Sequence, residues 1–305
     1  MISIIMSTYK EEESLLRQSI ESILNQTYRD FEFIIILDNP ENEMHKRVIE
    51  EYVLRDSRIQ FLINEDEHGR TIALNRGIDL AKGEYIAIMD ADDISLVNRL
   101  NDELEYIEKY NYDLIGGITQ VIDESGNDLY GIKKIPSDPD KIQKCLKYGQ
   151  VIAHPTWLGK IEVFKAINGY RPIPLCEDYD FTLRAALNGY KISNINKPVL
   201  KYRMTANSVS RSNLFEQYLY LCFITNAYKN GCEANVDEAI RFVREKNNRK
   251  QSKNYSKANV IFNRMLHEMS DKRLFSFIKD GFCLLFCSKY FLNRIYRFMM
   301  LSLNS

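Results

Sequence analysis

The stretch Phe31–Leu37 reads Phe-Glu-Phe-Ile-Ile-Ile-Leu, and it limits the possible folds more than any other segment. A nearly continuous apolar run of this length fits a strand buried on both faces, which requires helices on both sides of a mainly parallel sheet. The flanking sequence agrees. Residues 2–7 form a second β-branched run, and Leu15, Leu16, Ile20, Ile23 and Leu24 recur at helical spacing over 12–25. Helical patterns over 44–55, 71–82 and 96–110 alternate with strand patterns over 58–63 and 85–89, and Gly83 is placed to cap the third helix. This β-α order predicts an α/β fold with a mainly parallel sheet flanked by helices.

After residue 110 the alternation loosens. Strands are expected over 114–122, 151–159 and 199–203, with a short helix over 179–188. From Leu214 the chain reads as a helical extension, with a polar, basic loop or exposed helix turn over 247–257. The expected division is 1–110, 111–212 and 213–305, the last a helical basic region.

Ligands of open α/β sheets sit beyond the carboxyl ends of the strands. Here those ends carry Ser7-Thr8-Tyr9, Asp38-Asn39 and Asp90-Ala91-Asp92-Asp93. Three carboxylates in four residues repel one another unless a cation is present. Two readings follow: a hard divalent ion bridging carboxylates to a diphosphate, or a solvated acidic turn that caps the next helix. The loop from Gly69 into the helix carries Arg70, and helix N-termini and guanidinium groups both suit phosphate oxygens. The loop lacks the pattern of an NTP-binding loop, and no Gly-x-Gly-x-x-Gly follows the first strand, which argues against kinases and dinucleotide oxidoreductases.

Composition excludes other classes. Hydrophobic residues are 45% and charged residues 27% of 305, so the chain is not disordered. No window of 18 uncharged apolar residues suggests a membrane span. The first residues lack the basic flank and cleavage region of a signal peptide, so the six cysteines are expected as reduced thiols in the cytoplasm. The net charge of −1 hides an asymmetry: residues 241–305 hold 14 Lys and Arg against 4 Asp and Glu. Residues 264–301 mix Leu, Phe and Met with Lys279, Lys289, Arg294 and Arg297. They either pack against the body or lie on the inner face of the cell membrane. No nucleic-acid module accompanies the charge, so no nucleic-acid partner is expected.

Four segments in order carry a resemblance: SIIMSTYKEE, LRQSIESILNQTYRDFEFIIILDN, GRTIALNRGIDLAKGEYIAIMDADD, and INGYRPIPLCEDYDFTLRAALNGYKI with the YR that follows. Over residues 1–212 the chain resembles family 2 glycosyltransferases of GT-A fold. The resemblance implies an inverting transfer from a UDP-sugar or dTDP-sugar to a hydroxyl of a glycan or lipid-diphosphate-linked acceptor, in cell-surface polysaccharide synthesis. It implies that Thr8, Tyr9 and Glu11 cradle the nucleotide and that Asp38 accepts the N3–H of uracil. Arg70 would approach the diphosphate. Asp90 and Asp92 would hold Mn²⁺ or Mg²⁺, with Asp93 behind them. Glu177-Asp178 matches the acidic pair of the acceptor side, with Asp178 as general base. Arg203, Ser208 and Ser210 match a segment that folds over the diphosphate. The chain departs from the family pattern at Leu37, where an aspartate is usual, and at Asn39-Pro40, where Gly-Ser is usual. His154 reads either as a contact to acceptor or diphosphate or as a structural histidine. Trp157 is a candidate wall of the sugar site, and Tyr170 and Arg171 are expected to pack or form ion pairs. The rivals are a sugar nucleotidyltransferase, disfavoured by the acidic first loop, and a non-catalytic glycan-binding or scaffold protein.

Overall fold

The computed structural model describes residues 1–67, 69–131, 134–204, 213–270 and 274–305, and at 266–270 and 274–278 the backbone path alone. The described chain divides into two units. One comprises 1–143, 150–172 and 181–205; the other comprises 144–149, 173–180 and 206–305.

The first unit opens with β1 (Ile2–Thr8), α1 (Glu13–Leu24), β2 (Phe31–Leu37), α2 (Glu43–Val53), β3 (Ile59–Ile63), α3 (Arg70–Leu80), β4 (Tyr85–Asp90), β5 (Ile94–Ser95) and α4 (Arg99–Tyr110). It continues through β6 (Leu114–Ile122), β7 (Asp128–Gly131), α5 (Pro139–Cys145), a 3₁₀ turn at His154–Thr156, β8 (Leu158–Lys160), α6 (Ile161–Ala166), α7 (Glu177–Leu187) and β9 (Ile192–Arg203). α5 and α7 straddle the division between the units.

Among the described residues the sheet has the order β3-β2-β1-β4-β8-β6-β9-β5, with β7 on β6. β3, β2, β1 and β4 are parallel. β8 enters antiparallel between β4 and β6 and so joins the regions expected as 1–110 and 111–212 into one sheet. Every residue of β2 is buried. α1 lays Leu16, Ile20 and Ile23 into the same core. Each such apolar side chain contributes about 1.5–3 kcal/mol.

Several expectations need correction. Gly83 caps no helix, since α3 ends at Leu80. Its N–H donates to Ser3 Oγ at 2.8 Å, and a Cβ there would lie 2.7 Å from the Ser3 main-chain nitrogen. Close approach of two chain segments, not helix termination, demands this glycine. The segment 151–159 is a 3₁₀ turn and a three-residue strand, because Pro155 cannot donate within a ladder. β9 begins at Ile192, earlier than expected, and pairs in parallel with β6.

The second unit holds α8 (Leu214–Lys229), α9 (Val236–Lys246), α10 (Arg249–Ser270), α11 (Leu274–Cys287) and α12 (Lys289–Asn304). Of the two readings for 247–257, loop or exposed helix turn, the helical one holds, since most of the segment is the start of α10. Its polar sequence conceals Tyr255 and Ala258, both buried. Tyr255 packs on Phe215, Tyr218 and Phe291 with ring centroids 5.2 Å apart in each case. Ser288 breaks the last apolar stretch and caps α12 by accepting the Phe291 N–H. Among the described residues no helix is long and apolar enough to cross a membrane.

Candidate active site

Register places the predicted ligand-binding ends side by side. Thr8 pairs with Leu37, Ser7 pairs with Asp90, and Asp38 N–H donates to the Thr8 carbonyl at 2.9 Å. Thr8, Asp38 and Asp90 therefore share one edge of the sheet. Beyond β1 the chain turns on Glu11, whose Oε2 accepts the Thr8 hydroxyl at 2.6 Å and the Tyr9 N–H at 2.9 Å. His45 Nε2–H donates to the Glu11 carbonyl at 2.7 Å, and its Nδ1 lies 3.0 Å from Thr8 Oγ1. Glu11 thus shapes the loop. Tyr9 reaches outward, its hydroxyl donating to Glu67 at 3.0 Å.

Asp38 is buried and already holds the next loop. Oδ1 accepts from Asn64 Nδ2 at 2.7 Å, and Oδ2 accepts from the Gly69 N–H at 2.9 Å. Gly69 has φ +85°, a left-handed backbone that suits glycine, and directly precedes α3. The carboxylate at the end of β2 therefore fixes where Arg70 begins its helix.

At the end of β4 the guanidinium of Arg70 forms an ion pair with Asp90. Burial, then Asp90 and Glu11, push the Asp92 carboxyl up to about 6. Asp93 is 1% exposed, and burial, then Asp90 and Asp92, raise it well above the usual carboxylate range. Its Oδ1 accepts the Arg203 N–H at 2.8 Å, while Oδ2 is buried without a hydrogen-bond partner.

Arg203 is a correction. Its guanidinium does not line a diphosphate site but lies within the fold, the residue 2% exposed. Nε donates to the Asp92 carbonyl at 2.8 Å, and Nη1 donates to the carbonyls of Asp123 and Glu124 at 3.3 and 2.9 Å. Nη2 donates to Gln18 Oε1 at 2.9 Å. Arg203 props the acidic turn from beneath. Ser208 and Ser210, expected beside it, lie outside the described residues.

His154 joins the site through Arg70. Arg70 Nη2 donates to His154 Nδ1 at 3.0 Å. A guanidinium only donates, so the imidazole proton sits on Nε2, which donates to the Tyr170 hydroxyl oxygen at 2.8 Å. Burial, then the Arg70 charge, pushes the His154 pKa well down, in keeping with this neutral tautomer. Asn75 holds Tyr170 by both its main-chain groups, at 2.7 and 2.8 Å. Trp157 is a second correction. It is fully buried, stacked near Tyr170 and Phe181, and belongs to the core rather than to a sugar-binding wall. No local pattern signals the contact between Arg70 and His154, which are 84 residues apart.

Glu177 and Asp178 occupy the first turn of α7 and belong to the second unit. Both are half-buried, and Asp178 Oδ1 accepts the Tyr179 N–H at 2.7 Å. The preceding Leu175 has φ +64°. Acidic residues here also complement the helix dipole.

The donor set at β4 fits a hard divalent cation. Carboxylates that raise one another's proton affinity, and an orphaned buried oxygen on Asp93, are what such an ion relieves. Among the described residues no three His, Cys, Asp or Glu side chains converge as a metal-binding group.

Comparison with known proteins agrees with this geometry. Residues 3–167 match the model of glycosyl transferase family 2. An uncharacterized glycosyltransferase of Methanocaldococcus jannaschii is 38% identical over 221 residues, covering 72% of this chain and 76% of its own. The O-antigen biosynthesis glycosyltransferase WbnJ of Escherichia coli is 34% identical over 218 residues, covering 70% and 84%. The UDP-Glc:alpha-D-GlcNAc-diphosphoundecaprenol beta-1,3-glucosyltransferase WfgD of Escherichia coli is 30% identical over 220 residues, covering 71% and 82%. The structure of S. aureus TarS 1–349 in complex with UDP-GlcNAc superposes with a TM-score of 0.61 at 17% identity, covering 80% of this chain and 70% of that one, a likeness of fold of the GT-A type. With the family model matching more than half its length, and an acidic turn at the end of a parallel strand of the mixed sheet, the chain belongs to glycosyl transferase family 2 and is a glycosyltransferase.

Proposed function

We propose that this glycosyltransferase moves a sugar from a UDP-sugar, or a dTDP-sugar, to a hydroxyl of a glycan or lipid-diphosphate-linked acceptor during cell-surface polysaccharide synthesis, with inversion at the anomeric carbon. The observation that carries the reading is the shared edge of Thr8, Asp38 and Asp90, with Arg70 paired to Asp90. The UDP-GlcNAc complex of TarS and the glucosyl transfer to a diphosphoundecaprenol-linked sugar by WfgD support the donor class and the lipid-linked acceptor.

Each residue then has a chemical task. Thr8, Tyr9 and Glu11 form the nucleoside-side loop. Asp38, at the carboxyl end of β2, accepts the uracil N3–H. Arg70 has donors for phosphate oxygens once a diphosphate competes with Asp90. Asp92 and Asp90 would hold Mn²⁺ or Mg²⁺, which when bound neutralises charge on the departing diphosphate. Asp178 takes the acceptor hydroxyl's proton while that oxygen bonds to the anomeric carbon and the bond to the nucleoside diphosphate breaks. The base assignment rests on the resemblance of Glu177-Asp178 to the family's acidic pair.

The enzyme works at the inner face of the cell membrane in this reading. Phe282, Leu285 and Phe286 on α11 and Tyr296, Met299 and Leu303 on α12 are exposed at helical spacing, with exposed Lys279 and Lys289 nearby in sequence. Arg297 does not contribute, because it is buried and donates to the Tyr148 carbonyl and the Thr225 hydroxyl.

A panel of nucleotide sugars incubated with Mn²⁺ and a lipid-diphosphate-linked sugar tests the proposal. Transfer from a uracil or thymine donor is expected, and its loss in Asp92→Asn and Asp178→Asn. Turnover in Asp178→Asn equal to wild type removes that residue from the mechanism.

A further inference from the structure

We infer that Gln217, in the C-terminal helical region, is a positioning residue for Asp178. The inference rests on the reading of Asp178 as the base. Residues 173–180 belong to the same unit as α8–α12 rather than to the unit that carries most of the sheet. The turn before α7 is therefore built against the helical extension.

The contacts are specific. Gln217 Nε2 donates to the Leu175 carbonyl at 3.0 Å. The Cys176 thiol, buried, donates to the Gln217 carbonyl at 3.6 Å. One residue of α8 thus binds two consecutive residues of the turn, by side chain and by main chain. Leu175 holds φ +64°, a left-handed conformation that a branched side chain seldom adopts. Such a conformation persists only where its surroundings over-determine it, and the Gln217 amide on the Leu175 carbonyl supplies that restraint. Cys176 leads directly into Glu177 and Asp178, and the Cys176 carbonyl accepts the Asp180 N–H at 2.9 Å, which starts the helix. Tyr179 closes the other side by donating its hydroxyl proton to the Leu146 carbonyl at 2.7 Å, within the same unit. The direction of the first turn of α7, and with it the Asp178 carboxylate, is set by Leu175, and Gln217 keeps Leu175 in place.

Misplacing a general base by about an ångström from hydrogen-bond distance of its hydroxyl slows proton transfer, so loosening this turn should slow the chemical step without disturbing donor binding. The test uses the full chain with Gln217→Leu, Gln217→Lys and Asp178→Asn. In Gln217→Leu, kcat is expected to fall about 10- to 100-fold, with KM for the nucleotide sugar unchanged. Gln217→Lys keeps a donor long enough to reach the Leu175 carbonyl and should recover most of the loss. Should Gln217→Leu fail to fold, Gln217→Asn, one methylene shorter, replaces it with the same expectation. Unchanged kcat, or equal losses in the Leu and Lys variants, overturns the positioning role. Loss of transfer in Asp178→Asn beside a fully active Gln217→Leu overturns this inference alone. Full transfer in Asp178→Asn overturns the base reading and this inference with it.

Discussion

Arg203 Nε donates to the main-chain carbonyl of Asp92 at 2.8 Å, so the last strand of the sheet sets the shape of the acidic turn. Its main-chain N–H also holds Asp93. Truncating this buried arginine removes the donors to three main-chain carbonyls and to the Gln18 side-chain amide. Arg203→Ala is expected to destabilise the fold by about 3 kcal/mol. Arg203→Lys should lose nearly as much, because one ammonium cannot replace a fork. Urea unfolding checks both, and a midpoint unchanged in Arg203→Ala would return this residue to the diphosphate site.

Arg70 pairs with Asp90 of the acidic turn and remains solvent-accessible. Arg70→Ala should weaken UDP binding about tenfold, with Arg70→Lys between that and wild type. Calorimetric titration with UDP and Mn²⁺ reads the difference. Equal affinities in the two variants would remove the guanidinium from diphosphate recognition.

His154 gives the fold an acid limb. Its pKa is lowered in the folded state by burial and by Arg70, so the unfolded chain binds the proton more readily. The stability it protects is fully present above about pH 6.5 and declines as pH falls below that, by at most about 1.4 kcal/mol per unit. His154→Asn, whose side-chain oxygen can still accept from Arg70, should flatten this slope between pH 6.5 and 5. Thermal midpoints across that range decide it, and identical slopes would contradict the neutral tautomer.

Gly83 has no room for a side chain. A Cβ there would lie 2.7 Å from the Ser3 nitrogen and 2.8 Å from the Met1 carbonyl oxygen, both main-chain atoms that cannot swing away. Gly83→Ala should destabilise by about 1–3 kcal/mol. At Gly189 nothing lies within 4 Å, but φ is +81°, so Gly189→Ala meets backbone strain without a clash. Comparing the two by urea unfolding separates the two costs, and a neutral Gly83→Ala would refute the close approach.

The alternating half of the chain was legible because burial imprints its period on the residues. Phe31–Leu37 is wholly buried, and α1 buries the stripe its spacing announces. Short elements leave no such imprint, so β5 and β7, of two and four residues, went unseen. The polar start of α10 shows no buried stripe in its sequence because Tyr255 finds its aromatic neighbours on α8 and α12, far away in sequence. The acidic turn was visible in sequence as three carboxylates after a strand. Its prop was not.

Sequence order by itself determined the long strands β1 to β4, the helices between them, and which carboxylates stand at the sheet edge, since each of these follows from local periodicity and chain connectivity. Only the tertiary structure decided what the long cationic side chains do. Arg203 and Arg70 are both arginines within motifs of the resemblance, yet one is buried beneath the turn and the other half-exposed beside it. A guanidinium takes its role from the acceptors that surround it, and for Arg203 these come from residues 79 to 185 positions away. No local pattern can encode such partners.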